Sequence, residues 1–173
     1  ITHSASEAEI AGRNMEHCWV FDLEGELPPD LIHHTFDTLV FSHVLEHVRD
    51  PATVLSRLVP LLSHGGHVLI AVPNVLSWRL RLQFLLGRFE YASSGVLDDT
   101  HLRFFTYFTA DKFLLTDTPS LKVLSKSAEG SVPLWWLRRH LLPTSWCDWI
   151  DEWGCRHWPN LFGYQILIKA VKK

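Results

Sequence analysis

Residues 36–74 constrain the fold most strongly, because they contain the signals of a strand, a helix and a second strand in direct succession. The apolar runs 38–41 and 68–72 are typical of strands that are buried on both faces. Between them, apolar residues recur at helical spacing after Asp50 and Pro51, which suit the N-cap and the first position of a helix. This unit predicts a right-handed crossover between two parallel strands of an α/β sheet.

Further signals flank this unit. Gly65 and Gly66 are expected to end the central helix, since glycine adopts the left-handed conformation of a C-terminal cap. We also predict a helix over 7–14, a strand over 18–21, a short helix over 109–115 and an antiparallel pair of strands over 121–124 and 164–171. Ligands of open α/β sheets bind beyond the carboxyl ends of the strands, so the polar residues that follow these runs are the candidate site.

Three motifs together resemble the class I S-adenosylmethionine-dependent methyltransferases that have Leu-Glu-His after their fourth strand. The motifs are FD-x4-SHVLEHVRDP, GGHVLIAVPN and GVLDDTHLRFFT. The resemblance covers residues 1–115 and resumes in FGYQILIKAVKK, which is similar to the last strand of that fold. It implies a Rossmann-like three-layer sheet, S-adenosylmethionine as cofactor and methyl transfer as the activity.

The family's first strand and its glycine-rich turn, which holds the methionine end of the cofactor, have no counterpart in these residues. Residues 1–4 resemble the end of the second strand, so we expect residues 1–173 to be the C-terminal portion of a single methyltransferase domain. A lid or insertion is expected at about 76–108 and a Trp-rich segment at about 133–160. The alternative is a natural chain that has lost cofactor binding.

The resemblance also implies which residues contact the cofactor. Asp22 would accept a hydrogen bond from the adenine amino group, Leu23 would supply backbone contacts, and Ser42 and His43 would lie beside the adenosine and methionine portions. The alternatives are a loop cap for Asp22 and a buried, hydrogen-bonded imidazole for His43.

Thr2 or His3 stands where the family usually has an acidic residue for the ribose hydroxyls. This departure leaves the recognition of the ribose open.

Methyl transfer requires an acceptor held in line with the methyl group, and an oxygen acceptor benefits from a general base. His101 is the predicted base, with His43 as a second catalytic candidate, because an imidazole titrates near neutrality. Asn74, Tyr91 and Arg103 are expected to line the acceptor cleft. The alternative for His101 and Arg103 is that they bond their loop to the Leu-Glu-His segment.

Four residues, His43, Glu46, His47 and His101, supply enough nitrogen and oxygen donors for a divalent metal. Small-RNA 2′-O-methyltransferases and quinone-pathway O-methyltransferases of this fold carry comparable clusters, but with Glu where this chain has His43. Metal-free chemistry, with Glu46 and His47 tying their loop to neighbouring backbone, is the expected case.

The amino-acid composition indicates which classes of binding partner to expect. Sixteen basic and nineteen acidic residues give no positive surplus for a nucleic-acid partner, so a small-molecule or lipid-like acceptor is expected. Three cysteines without metal-ligand spacing favour a reducing, cytoplasmic location. No apolar run approaches the ~20 residues of a membrane span.

Six of the eight tryptophans lie between residues 135 and 158. Trp146, Trp149, Ile150 and Trp153 follow the spacing of one helix face. We expect this stripe to pack on the sheet or on a lid. The alternatives are a wall of a large apolar substrate pocket, and docking on a membrane surface or a partner.

The sequence therefore predicts methyl transfer to a small-molecule or lipid-like acceptor, at oxygen. Alternatives are a non-catalytic interaction module of the same fold and a metal-assisted O-methyltransferase. A different nucleotide-binding enzyme is disfavoured, since neither a dinucleotide fingerprint nor a phosphate loop is present.

Overall fold

The computed structural model describes residues 1–2 and 4–173. In this part of the chain one sheet contains four strands, in the order β1-β2-β4-β3. The strands are β1 (Phe36–Ser42), β2 (Leu62–Pro73), β3 (Leu121–Gly130) and β4 (Gly163–Lys172). β1 and β2 are parallel, whereas β4 runs antiparallel to both β2 and β3. The predicted α/β sheet and its antiparallel pair are confirmed.

The helices of the described residues connect these strands. They are α1 (Ala5–Ala11), α2 (Pro51–Leu58), α3 (Trp78–Leu85), α4 (Ala110–Leu114), α5 (Trp135–Leu141), α6 (Thr144–His157) and α7 (Pro159–Phe162). Single 3₁₀ turns occupy Leu31–His33, Leu45–His47 and Val59–Leu61. β1, β2 and β3 end at the same edge of the sheet at which β4 begins, and we call it the carboxyl edge. The connections at this edge include α3, α5, α6 and α7.

The strand, helix and strand predicted over 36–74 are present, with β1 and β2 parallel. Asp50 caps α2, because its carboxylate accepts a hydrogen bond of 3.2 Å from the backbone N–H of Thr53. The predicted end of this helix is wrong. The helix ends at Leu58, since Pro60 has no N–H to continue the ladder, and Gly65 and Gly66 lie inside β2.

Full strands were also predicted near residues 1–4 and over 18–21, and this prediction is wrong. The two segments form one isolated parallel bridge, Thr2 to Val20, closed by two backbone hydrogen bonds of 3.0 Å. Among the described residues no further strand pairs with this bridge, and an isolated pair of strands is marginal by itself. His3, one of the two positions considered for the ribose hydroxyls, lies outside the described residues.

The core lies on one face of the sheet. Its most deeply buried members come from the strands, from α2 and α4 and from the turns before and after β1, and they include Leu45, Leu55, Val68, Val72, Leu114 and Ile166. Residues on the opposite face, such as Val40 and Leu69, are exposed, so the prediction that β1 and β2 are buried on both faces is wrong for the described residues. The same face alternation continues into β4.

Candidate functional site

A cleft of about 660 Å³ opens where β1 ends, and we call it the β1 cleft. Its walls include three residues predicted to contact a cofactor, Asp22, Leu23 and His43. Ser42, the fourth, is exposed at the end of β1 and is not among the described lining residues. The volume falls in the range of about 300–1,000 Å³ that is usual for small-molecule sites.

The loop that carries Asp22 is held rigidly. One carboxylate oxygen of Asp22 accepts a hydrogen bond of 2.9 Å from the backbone N–H of Glu24, so the loop-cap alternative is present. Glu24 in turn accepts from the backbone N–H groups of Arg49 and Asp50, at 3.0 and 3.2 Å. The guanidinium of Arg57 donates to carbonyl oxygens of the same loop. Asp22 therefore lines the cleft from a loop that several hydrogen bonds hold in place.

The sequence analysis missed one residue that lines this cleft, Glu7, and one that supports its wall, Arg57. Glu7, in the first turn of α1, lines the cleft and accepts a hydrogen bond from the Thr2 hydroxyl. Its carboxylate contacts Thr2, one of the two positions at which the family usually has an acidic residue and this sequence has none. Arg57 was also missed. Its position in a predicted helix does not indicate that it contacts a loop more than thirty residues earlier in the chain.

His43 has both ring nitrogens engaged. Its backbone is left-handed, with φ at 52°, an uncommon conformation for a residue with a Cβ. Nδ1 lies 3.1 Å from a carboxylate oxygen of Glu46, and Nε2 lies 3.0 Å from Oε1 of Gln165. The amide of Gln165 is oriented by its donation to Glu129, at 2.9 Å, so Nε2 of His43 carries a proton. In this conformation His43 has no free nitrogen for proton abstraction.

His47 and His101 differ from His43 in this respect. Nδ1 of His101 lies 3.0 Å from the carbonyl oxygen of Val96, and Nδ1 of His47 lies 3.3 Å from that of Thr100. A carbonyl oxygen only accepts, so both Nδ1 atoms carry the proton and both Nε2 atoms keep a lone pair. The two ring centroids are 4.7 Å apart.

The Leu45–His47 turn anchors the loop that carries His101. The carbonyl oxygen of Glu46 accepts from the backbone N–H groups of Leu102 and Arg103, at 2.8 and 3.0 Å. The guanidinium of Arg103 donates to the carbonyl oxygen of Arg49 at 2.7 Å. Arg103 therefore bonds its loop to the Leu-Glu-His segment, as the alternative expected.

Glu46 is fully buried, and its second carboxylate oxygen has no hydrogen-bond partner among residues 1–2 and 4–173. Ligand atoms of Glu46, His47 and His101 lie within 4.8 Å of one another. His43, the fourth residue of the predicted metal set, turns towards Gln165 and is not part of this group. The three-residue set has the donor types of a divalent metal site.

Two residues predicted to line the acceptor cleft lie elsewhere. Asn74 is fully buried, and its side chain bonds the carbonyl oxygens of Asn160 and Gly163 at 3.2 and 2.8 Å. It joins the end of β2 to the start of β4 because a buried amide needs partners. Tyr91 is exposed and stacks edge-on against Phe89, away from the β1 cleft.

A second cavity of about 620 Å³ lies at the carboxyl edge beside β3, and we call it the Trp pocket. Its aromatic walls come from α3, α5 and the start of β4: Trp78, Trp135 and Tyr164. Glu129, which orients Gln165, also lines it. The tryptophan stripe of α6 does not pack on the sheet as expected, since its members Trp146 and Trp149 are each 63% exposed.

Similarity to known proteins identifies the family to which the chain belongs. A family model described as a methyltransferase domain matches residues 4–113, which contain most of the β1 cleft and the whole Leu45–His47 turn. A solved structure from Thermotoga maritima, described as a SAM-dependent methyltransferase and possible histamine N-methyltransferase, is 16% identical with a TM-score of 0.61. The match covers 99% of this chain and 71% of that one.

An S-adenosylmethionine-dependent methyltransferase from Mesorhizobium loti is likewise 16% identical, with a TM-score of 0.55, over 98% of this chain and 77% of that one. At such identities the solved structures show the fold alone. A search among curated proteins found no match. Because the family model spans well over half of the sequence, the chain belongs to the class I methyltransferases of Rossmann-like fold that use S-adenosylmethionine as cofactor.

Proposed function

We propose that this chain transfers a methyl group from S-adenosylmethionine to an oxygen atom of a small-molecule or lipid-like acceptor. The family match supports methyl transfer in general. The choice of oxygen rests on one observation, the 3.0 Å contact of His101 Nδ1 with the Val96 carbonyl oxygen, which leaves Nε2 of the neutral ring without a proton. A hydroxyl must lose its proton as it is methylated, and a neutral imidazole nitrogen can accept that proton.

The β1 cleft is the proposed site of the adenosine portion. The free carboxylate oxygen of Asp22 would accept from the adenine amino group, and the carboxylate of Glu7 is suited to the ribose hydroxyls. Leu23 would contact the base through its backbone. The bound cofactor supplies the electrophilic methyl group, while these residues only bind and orient it.

The proposed base is held in position by its own loop. The Asp98 carboxylate accepts from the backbone N–H and the hydroxyl of Thr100, at 2.8 and 2.5 Å. Thr100 in turn faces Nδ1 of His47, and His47 stacks edge-on against His101. This chain of contacts keeps the His101 ring next to the Leu45–His47 turn, and positioning of this kind accounts for much of the rate in methyl transfer.

The test is the activity of His101→Ala and His101→Gln with a hydroxyl-bearing acceptor. If His101 is the base, the turnover number falls by about 10²–10⁴-fold in both variants, while cofactor affinity is unchanged. Full activity of His101→Gln would refute this assignment.

A second candidate function, metal-assisted O-methylation, is favoured by the buried second oxygen of Glu46. An unpaired buried carboxylate oxygen is costly, and a cation would satisfy it. Both histidines donate Nδ1–H to a carbonyl, as metal-ligating histidines commonly do, which would leave Nε2 for the ion. A divalent ion held by Glu46, His47 and His101 would supply Lewis-acid polarisation of the acceptor oxygen.

The two candidates are distinguished by elemental analysis of the purified protein and by chelation. Metal-free chemistry predicts activity that survives a chelator and no stoichiometric divalent metal. The metal-assisted candidate predicts a bound ion that is lost in His47→Ala and retained in His140→Ala, an exposed histidine of α5 outside the cluster.

A further inference from the structure

Three helices at the carboxyl edge present large apolar side chains to solvent. On α3 and just after it, Leu85 and Leu86 are exposed, and on α5 Trp136 and Leu141 are exposed. Trp146 and Trp149 extend the exposed set along α6. We call these six side chains the aromatic surface.

The Trp pocket lies between α3 and α5, two of the helices that carry the aromatic surface, although none of the six side chains of that surface is among its lining residues. Trp78 at the start of α3 and Trp135 at the start of α5 line it together. Leu82 and Leu85 lie four and seven positions after Trp78, so they continue the same face of α3 away from the pocket. The two apolar helix faces therefore begin at a common point of the carboxyl edge.

The composition of this surface favours a lipid headgroup layer over an ordinary buried partner. Tryptophan combines a large apolar body with an N–H donor, and it is enriched where membranes meet water. Six of the eight tryptophans of the chain fall between residues 135 and 158, and four of these are more than 45% exposed: Trp136, Trp146, Trp149 and Trp158. Soluble monomers rarely expose apolar patches of this kind without a function.

The distribution of charged residues also favours a lipid surface as the partner. Residues 76–91 and 133–158 carry six arginines against four acidic residues, whereas the rest of the chain has ten basic and fifteen acidic residues. Two of these arginines and two of these acids form ion pairs, Arg138 with Asp151 at 2.6 Å and Arg139 with Asp148 at 2.9 Å, which leaves four arginines against two acids. Arg88 and Arg156 are exposed beside the apolar residues. A positive apolar surface on a negative protein is complementary to anionic lipids.

We propose that the aromatic surface docks this protein on the surface of a bilayer that contains anionic lipids. The helices would lie in the plane of the interface, with the tryptophan rings at the depth of the headgroups. None of the helices in the described part of the chain has the length and apolarity needed to cross a membrane, which agrees with an in-plane arrangement.

The test is flotation of the purified protein with vesicles of phosphatidylcholine, with or without phosphatidylglycerol. We expect binding to the anionic vesicles that weakens between about 0.1 M and 1 M salt, as the Debye length falls from about 10 to 3 Å. A blue shift of tryptophan emission should accompany binding. Vesicle binding does not depend on catalysis, so its failure would leave the proposed methyl transfer untouched.

Matched variants identify the surface. Trp146→Ala combined with Trp149→Ala should weaken vesicle binding by about tenfold or more, whereas Leu124→Ala, an exposed apolar residue of β3, should not. Arg88→Glu with Arg156→Glu should weaken binding to anionic vesicles, and Lys122→Glu should not. Thermal melting checks that each variant is folded.

Three results would overturn the proposal. The first is wild-type protein that stays unbound with both vesicle types. The second is undiminished vesicle binding in both the tryptophan and the arginine variants. The third is a dimer, seen by sedimentation equilibrium, that the tryptophan variant dissociates while vesicles bind neither form, since the surface would then join two copies of the chain.

Discussion

His43 Nε2 and Gln165 Oε1 lie 3.0 Å apart, although the two residues are separated by 122 positions in the chain. Gln165 also donates to Glu129 of β3, at 2.9 Å. His43 lines the β1 cleft and Glu129 lines the Trp pocket, so this short series of hydrogen bonds connects the two cavities along the carboxyl edge. It also gives each ring nitrogen of His43 a hydrogen-bond partner, Glu46 at Nδ1 and Gln165 at Nε2.

Gln165→Leu tests this relationship. The variant removes the acceptor of His43 Nε2 and leaves the Glu46 carboxylate at Nδ1, so we expect the Nε2 signal of the ring to change while Nδ1 keeps its contact with Glu46. Loss of one hydrogen bond should lower the free energy of unfolding by about 1 kcal/mol. Nitrogen chemical shifts of the histidine rings report the tautomer, and His47 and His101 are internal controls because backbone carbonyls set theirs. An unchanged His43 spectrum would contradict the assignment.

Asp22→Ala should weaken binding of the cofactor product S-adenosylhomocysteine. Removing one hydrogen bond to the ligand costs about 1 kcal/mol, which corresponds to about fivefold in affinity. Titration calorimetry measures the change. Glu9→Ala, an exposed acid of α1 outside the cleft, is the matched control. Equal affinities of Asp22→Ala and wild type would leave Asp22 with its loop-cap role alone.

Acid should loosen the loop that carries Thr100 and His101. The hydroxyl of Thr100, followed by its backbone N–H, holds the pKa of the Asp98 carboxyl below its ordinary value. A carboxyl with a lowered folded pKa contributes stability above its unfolded pKa, and that stability is lost as pH falls through the folded pKa. We therefore expect the contact between Thr100 and His47 to weaken only in strongly acidic solution.

Thr100→Val should raise the pKa of Asp98 towards its ordinary value, as measured by carbon NMR of the carboxyl during a pH titration. Asp50 is the control, since hydrogen bonds from Thr53 lower the pKa of its carboxyl in the same way. Thr53→Val should change Asp50 and leave Asp98 unaltered. A pKa of Asp98 that is insensitive to Thr100→Val would mean that the loop is held by other contacts.

Asn74→Ala should destabilise the protein, because it removes the amide donor to the buried carbonyl oxygens of Gly163 and Asn160, of which Asn160 keeps a bond of 3.3 Å from Arg81. We expect a loss of about 2 kcal/mol in the free energy of unfolding, measured with urea. Asn14→Ala, at an exposed asparagine, should change it by less than about 0.5 kcal/mol. If Asn74→Ala changed the free energy of unfolding as little as Asn14→Ala, Asn74 would again be a candidate contact of the methyl acceptor.

The sequence alone determined the features that depend on neighbours a few residues away. The apolar runs of β1 and β2 and the cap of α2 by Asp50 are local, so residues 36–74 predicted the crossover correctly. The three motifs together likewise indicated the family and its cofactor. The same local reasoning failed at Pro60, where a helix-breaking residue was overlooked in favour of the two glycines.

Only the tertiary structure decided the roles of the side chains. Asn74 follows a strand, as a ligand-binding residue would, but the start of β4 folds over it and uses its amide internally. Gln165 has no motif, yet the order of the strands brings it to His43. The tryptophan stripe has the spacing of a buried helix face, but α6 leaves much of it in solvent. Periodicity shows that residues share a face, whereas the element that covers that face is set by contacts between distant parts of the chain.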